Sequence, residues 1–234
     1  MIYLNSKLLI IFLLFSKISI CKIIITAPHS HCLPKAEDRV CDKLAGKAAK
    51  LLAEALKTST IFSTHYREGT DLNREESRPT QFRIEIGQEL KKCRQERQNC
   101  ILLDVHSFPK ETYLTSIKRD CVKHYRTYLD KKEQVQSGKY QEEKEQTIEV
   151  QPKIFFIKSL YDENLGDYLF NYLKKFFIPS IIFEGNVYND IIFEASFNRI
   201  PSVLIEFNES LTDQELEFLI KILVEAINSY IKGE

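Results

Sequence analysis

The sequence has no excess of charge of either sign. Its 234 residues include 33 basic and 33 acidic side chains, which cancel at neutral pH. A protein that binds a polyanion or an anionic membrane surface through its overall charge would carry an excess of lysine and arginine. A basic stripe and an aromatic platform motif are lacking as well, so we expect no nucleic-acid partner.

Glycine and proline are scarce, at seven residues each, whereas apolar residues make up 44% of the chain. This composition is that of an ordinary globular protein. The length allows one domain with a full core, or barely two. The one biased segment, Asp130–Glu149, is rich in lysine, glutamate and glutamine, and we interpret it as a solvated helix or an insertion. We therefore expect a single domain over residues 22–234, with a charged insertion near residues 130–150.

No Cys-x-x-Cys pair occurs, so a thiolate zinc site has no support in the sequence. Cys93 and Cys100 flank a short turn, and Cys32 and Cys41 are close in sequence. Either pair could form a disulfide in an oxidising compartment, and spacing alone does not decide between them. Cleavage of the chain after Cys21 would leave an odd number of cysteines, so at least one would be unpaired within the chain.

No apolar run is long enough to span a bilayer. Leu8–Phe15 is an apolar block of signal-peptide length that follows Lys7. We expect residues 1–21 to be the signal peptide of a secreted protein, with no stable membrane association after cleavage. A retained N-terminal membrane anchor is the alternative. A lipid-modified Cys21 fits less well, because the preceding residues match a lipobox poorly.

Predicted strands and helices alternate along the chain. Apolar, β-branched runs predict strands at residues 22–27, 60–66, 100–106, 153–158, 180–183 and 201–207. Helical spacing of apolar residues predicts helices over residues 36–56, 81–97 and 165–177, and the capping box Thr212–Glu215 opens a last one. Since a β–α–β unit indicates a parallel sheet, we expect the α/β class, as a three-layer α/β/α sandwich around a mixed, mostly parallel sheet.

Several predicted strands end in polar side chains. Asp104 and His106 lie two residues apart and leave their strand on the same side. His29 follows the first strand, and Glu206 lies in the last one. The carboxyl ends of parallel strands meet at one edge, where such sheets bind ligands. Two imidazoles and a carboxylate can hold zinc there, and a further carboxylate can transfer the proton of a bound water.

Five short motifs occur in order along the chain: Pro28–Ser30, Glu37–Asp38, Asp71–Arg74, Asp104–Ser107 and Leu204–Glu206. Together they resemble the N-formylglutamate amidohydrolase family, which belongs to the carboxypeptidase-like zinc hydrolases. The resemblance extends from Lys22 to Phe207. It implies one zinc ion as the cofactor, with His29, Asp38 and His106 as its ligands. Glu37 is the alternative to Asp38 as the acidic ligand.

The same resemblance implies roles for five further residues. Glu206 takes the place of the catalytic carboxylate, which acts as general base and then as general acid. Arg74 is implied both in catalysis and, with Asn73, in binding a substrate carboxylate, since its guanidinium pairs bidentately. Asp71 is expected to contact a ligand histidine and fix its tautomer. Asp104 could do the same, or cap its strand.

We therefore expect a secreted, zinc-dependent hydrolase of a C–N amide bond, with a metal-bound water as the nucleophile. The expected substrate is a small N-acylated amino acid or a peptide-like molecule. One alternative is a non-catalytic binding protein that keeps this fold, and another is a metal-free α/β domain whose histidines are structural. Glu206 favours the enzyme, because a binding protein has no use for a lone acid at that strand exit.

Overall fold

The computed structural model describes residues 21–31, 41–63, 71–96, 99–108, 152–159, 161, 164–183 and 189–233. The expected signal segment before Cys21, the acidic pair Glu37–Asp38 and the charged insertion near residues 130–150 lie outside the described residues. Among the helices that are described, none combines the length and the apolar character needed to cross a membrane.

Six strands form one sheet, with β1 at Lys22–Ala27, β2 at Thr60–Phe62, β3 at Cys100–Phe108, β4 at Ile154–Lys158, β5 at Ser180–Phe183 and β6 at Ser202–Asn208. Their order across the sheet is β2-β1-β3-β6-β4-β5. The first four strands in this order run parallel, whereas β4 pairs antiparallel with β6, and β5 pairs parallel with β4. The prediction of a mixed, mostly parallel sheet is confirmed.

Five α helices are found in the described part of the chain: α1 at Ala45–Leu56, α2 at Gln81–Glu96, α3 at Asn164–Lys174, α4 at Asp190–Phe197 and α5 at Asp213–Lys232. Helices α1, α3 and α5 bury their apolar residues against one face of the sheet. Helices α2 and α4 cover the opposite face. The predicted three-layer α/β/α arrangement is therefore confirmed.

The alternation of side chains along β3 and β6 decides which layer each residue faces. Leu103 of β3 pairs with Val203 of β6, and both pack against α1, α3 and α5. Leu102 packs on the opposite face, among the residues of α2 and α4. Because successive side chains point to opposite faces, His106 and Glu206 lie on the face covered by α2 and α4.

Helix α1 begins later than the sequence predicts. Periodicity predicts a helix from Ala36, but the described residues 41–44 form a turn and the helix starts at Ala45. The backbone N–H of Asp42 donates to the carbonyl of His29 at 3.0 Å. The N–H of Leu44 donates to Ser107 Oγ at 3.1 Å. These bonds to neighbouring strand ends replace the first turn of the predicted helix and bring Asp42 to the edge of the sheet.

A disulfide joins Cys93 near the end of α2 to Cys100 at the start of β3, with a Cα–Cα distance of 6.2 Å. Both residues are buried. One of the two pairings that the sequence leaves open is therefore formed. Cys41 is also disulfide-bonded, and Cys21 is a free thiol.

Replacing both Cys93 and Cys100 by alanine is expected to lower the free energy of unfolding by about 2–3 kcal/mol, because the cross-link constrains the unfolded chain. The melting temperature should fall by roughly 5–10 °C. Thermal unfolding in non-reducing buffer measures this shift. Lys91→Ala is the control, since Lys91 lies on the same helix as Cys93 and is exposed. Equal melting temperatures in the double variant and in the control would contradict the prediction.

Candidate metal centre

Three buried residues, His29, Asp42 and His106, could hold a metal ion. Each offers one ligand atom, and these atoms lie within 4.8 Å of one another. Asp42 Oδ2 lies 2.7 Å from His106 Nδ1 and 3.5 Å from His29 Nδ1. The two imidazole rings are steeply inclined, at 78°, with centroids 5.1 Å apart. Both rings therefore point the same nitrogen, Nδ1, at one carboxylate oxygen.

The topology of the sheet brings these residues together. β1 and β3 are parallel neighbours, and Thr26 of β1 is in register with Asp104 of β3. His29, which follows β1, and His106, near the end of β3, therefore emerge at the same edge. Asp42 reaches this edge on the turn before α1. This turn is held there because the backbone N–H of Asp42 donates to the carbonyl of His29.

In each imidazole the nitrogen that points away from Asp42, Nε2, forms a hydrogen bond with another carboxylate. His29 Nε2 lies 2.9 Å from Asp71 Oδ1. His106 Nε2 lies 3.0 Å from Asp104 Oδ2. In the neutral imidazole such a bond places the proton on Nε2, so that Nδ1 would offer its lone pair to a cation. Two imidazole nitrogens and one carboxylate oxygen are a ligand set that zinc accepts in catalytic sites, with a fourth position open. The residues that are present fit the metal.

Buried charges favour a cation at this place. Burial raises the pKa of Asp42, but hydrogen bonds from His106 and His29 outweigh it and lower the pKa well below its ordinary value. Burial lowers the pKa of His106, yet the charges of Asp104 and Asp42 and their hydrogen bonds raise it well above its ordinary value. Positive charge is thus stabilised between Asp42 and Asp104.

Asp104 is fully buried and is held by three donors. Its Oδ1 accepts a hydrogen bond from Thr26 Oγ1 at 2.5 Å. Its Oδ2 accepts from His106 Nε2 and from Asn189 Nδ2. A buried carboxylate without such partners would be costly, and here the donors offset that cost and also fix the orientation of the carboxylate.

The Asp71–Arg74 segment lies directly beside the two histidines. Asp71 Oδ2 lies 3.4 Å from Arg74 Nε, on the other side of the carboxylate from His29. Asn73 Nδ2 lies 3.3 Å from His106 Nε2. Asn73 Oδ1 is buried and finds no hydrogen-bond partner among the described residues. The structure therefore places these three residues at the candidate metal centre.

A buried arginine holds this segment in place. Arg83 of α2 is only 2% exposed. Its Nη1 donates to the carbonyl oxygens of Leu72 and Arg74 at 3.2 and 3.3 Å. Its Nη2 donates to Asp190 at 2.7 Å and to Glu194 at 2.8 Å. The two acids of α4 thus neutralise the guanidinium, which in turn fixes the backbone that carries Asn73.

A second set of bonds holds the turn that carries Asp42. Glu209 Oε1 accepts from the N–H of Lys43 at 2.9 Å and from Ser107 Oγ at 2.8 Å. Ser107 Oγ in turn accepts from the N–H of Leu44. Residues at the ends of β6 and β3 therefore hold this turn in place together.

Glu206 is the direct neighbour of His106 across β3 and β6, because the two residues are in register on parallel strands. Its side chain lies on the same face and is half-buried. Arg199, the basic residue nearest before Glu206 in the sequence, precedes β6, whereas Glu206 is the fifth residue of that strand.

Sequence reasoning missed four residues that the structure brings to the site or its support. Arg83, Asn189 and Glu209 have no motif of their own, although Asn189 precedes an apolar run as a helix cap would. Asp42 falls within the segment predicted to be helical. Asp38, the acidic ligand that the family resemblance implies, lies outside the described residues, so that prediction stays untested.

No protein-family model matches the chain, and no curated protein matches it in sequence. A gene product of Agrobacterium tumefaciens of known structure is 12% identical, with a TM-score of 0.60 over 89% of this chain and 90% of that one. An N-acetylmuramoyl-L-alanine amidase of Nostoc punctiforme is 11% identical, with a TM-score of 0.46 over 90% of this chain and 97% of that one. The CwlD amidase of Clostridioides difficile, solved with the GerS lipoprotein, is 15% identical, with a TM-score of 0.45 over 90% of this chain and 99% of that one. The Agrobacterium protein shares the fold.

Replacing Arg83 by methionine is expected to destabilise the fold by about 3 kcal/mol, because the carbonyls of Leu72 and Arg74 lose a buried donor and Glu194 loses its counter-ion. Asp190 keeps its ion pair with Arg78 at 2.8 Å. Denaturant unfolding measures this loss. Arg94→Met is the matched control, since Arg94 lies on the same helix and is exposed. Equal unfolding midpoints for the two variants would show that the buried arginine adds nothing to stability.

Proposed function

We propose that this chain is a zinc-dependent hydrolase of a C–N amide bond, similar to the N-formylglutamate amidohydrolases. The proposed substrate is a small N-acylated amino acid or a peptide-like molecule. One observation carries the proposal: His29, Asp42 and His106 gather their ligand atoms within 4.8 Å, and both outer imidazole nitrogens are bonded to carboxylates. A structural pair of histidines has no need of this arrangement.

Asp42 is proposed as the acidic ligand, because its carboxylate lies beside Nδ1 of both His29 and His106. The family resemblance implies Asp38 as the acidic ligand instead, with Glu37 as the alternative to Asp38. Bound zinc would polarise a substrate carbonyl and lower the pKa of a water molecule.

Glu206 is proposed as the general base and acid. It stands beside His106 on the neighbouring strand and is only half-buried, so a water molecule and a substrate can reach it. Its carboxylate accepts the proton of the attacking water and then donates it to the leaving nitrogen, so the residue is restored after each turnover. An amide nitrogen is a poor leaving group until it is protonated, which is why the reaction needs this second step.

Arg74 and Asn73 are proposed to bind the substrate. The planar guanidinium of Arg74 pairs bidentately with a carboxylate, and its side chain is about one-third exposed, at 33%. Asn73 supports this role by its position, since it precedes Arg74 in the chain and its amide lies 3.3 Å from His106 at the candidate metal centre. The charge of the adjacent Glu75 is engaged by Arg78 at 3.3 Å, which lessens its repulsion of an anionic substrate at Arg74.

A secreted protein is proposed, with residues 1–21 as its signal peptide and an N-terminal membrane anchor as the alternative. The disulfide bonds at Cys93, Cys100 and Cys41 support an oxidising compartment, because intracellular thiols are mostly kept reduced. The proposed partner is the substrate alone, without nucleic acid.

Metal analysis of the purified protein should find one equivalent of zinc. His106→Ala and Asp42→Asn should each lose it, because each removes a ligand, and Asp38→Asn should retain it. His31→Ala is the control, since His31 is not one of the three described residues that gather their ligand atoms. Zinc retained by Asp42→Asn and lost from Asp38→Asn would transfer the ligand role to Asp38, and a metal-free wild type would refute the proposed function.

Glu206→Gln should remain folded and loaded with zinc, while kcat falls roughly 10²–10⁴-fold, the usual contribution of a general acid–base group. N-formyl and N-acetyl amino acids and short peptides form the substrate panel. Glu217→Gln, an exposed change on α5, is the control. A Glu206→Gln protein that unfolds would instead give Glu206 a structural role, and unchanged turnover would remove it from catalysis.

A further inference from the structure

We infer that Asn189 is a positioning residue for the candidate metal centre, and that it acts by holding Asp104 in the orientation that aims His106. This inference rests on the proposed function. Asn189 caps the start of α4, forms no hydrogen bond with either histidine in the described part of the chain, and belongs to none of the motifs that the sequence suggests.

Asn189 is fully buried and uses both ends of its amide. As the cap of α4, its Oδ1 accepts from the backbone N–H of Ile191 at 2.8 Å and of Ile192 at 3.2 Å. Its Nδ2 donates to Asp104 Oδ2. Rotating the amide by half a turn would set an NH₂ group against two N–H groups, so the cap itself fixes the donor that Asp104 receives.

Asp104 passes this constraint to His106. The same oxygen, Oδ2, receives the hydrogen bonds of Asn189 and of His106 Nε2, while Oδ1 is held by Thr26. With both oxygens engaged, the carboxylate cannot turn without breaking a bond. The imidazole that it holds therefore keeps Nδ1 toward Asp42.

The residue next to Asn189 anchors the segment that carries Asp71, the partner of His29. The N–H of Asp190 donates to the carbonyl of Asn73 at 2.8 Å, and its carboxylate binds the buried Arg83 at 2.7 Å. The start of α4 thus braces both Asp104 and the segment that begins at Asp71. Capping alone does not account for the choice of asparagine at position 189. Serine, threonine and aspartate cap helices equally well, but none of them offers an acceptor and an amide donor together.

Asn189→Ser and Asn189→Thr separate the cap from the support of Asp104, because both keep a capping oxygen and lack the amide donor. Zinc affinity is measured by competition with a chromophoric chelator, and the melting temperature is measured in parallel. We expect zinc affinity to fall about 10–100-fold, as when the outer partners of metal ligands are removed. Thr212→Ala is the matched control, since it removes the cap of α5. It should lower the melting temperature and leave zinc affinity unchanged.

The metal-free protein provides a second readout, the NMR signal of the His106 Nε2 proton, assigned by its loss in His106→Ala. A hydrogen bond to a fixed, buried carboxylate should keep this signal sharp and slow to exchange in the wild type. In Asn189→Ser and Asn189→Thr it should shift or broaden, and in Thr212→Ala it should not change. Thr26→Val, which removes the other donor to Asp104 from a different element, should affect the signal in the same direction.

An unchanged His106 signal in folded Asn189 variants would overturn the inference, whether or not zinc binds. Wild-type zinc affinity in those variants would overturn it as well. A wild-type protein that binds no zinc would instead refute the proposed function, and the His106 signal of the metal-free variants would still decide whether Asn189 positions that ring. The two failures are therefore distinguishable.

Discussion

The site depends on a charged group buried at the centre of the sheet. Asp104 lies on β3, the strand between β1 and β6, and is fully buried. Such a carboxylate is tolerated only if donors surround it, and they come from β1 (Thr26), from β3 itself (His106) and from the start of α4 (Asn189). The hydrogen bonds that Asp104 needs therefore connect the sheet to the helical layer that contains α4, and they also fix the orientation of His106.

A second buried charge organises the same side of the sheet. Arg83 needs acceptors for its guanidinium and finds them in two carboxylates of α4 and in the backbone carbonyls at Leu72 and Arg74. It therefore joins α2, α4 and the segment that contacts His29 and His106. The opposite face of the sheet, under α1, α3 and α5, is an apolar core. The face covered by α2 and α4 therefore supplies the fixed polar groups of the site, and the opposite face stabilises the fold by burying apolar side chains.

Much of the fold follows from local patterns in the chain. The β-branched run at Lys22–Ala27, the spacing in Gln81–Glu96 and the capping box at Thr212 each predict an element that the structure contains. Local signals fail where distant groups compete for the backbone. Residues 41–44 have helical periodicity, yet their N–H groups bond to His29, Ser107 and Glu209, so they form a turn.

The sequence by itself determined the α/β class, the alternation of strands and helices, and that His29, His106 and Glu206 lie at strand ends, because these depend on the period of nearby residues. Only the tertiary structure decided that Asp42 meets both imidazoles, that Cys93 pairs with Cys100, and which side chains satisfy Asp104. Those contacts join residues from separate elements, and a hydrogen bond between such elements leaves no periodic trace in the chain. The geometry of the site therefore depends on how the layers pack, whereas the strand ends that carry its histidines are specified by the local sequence.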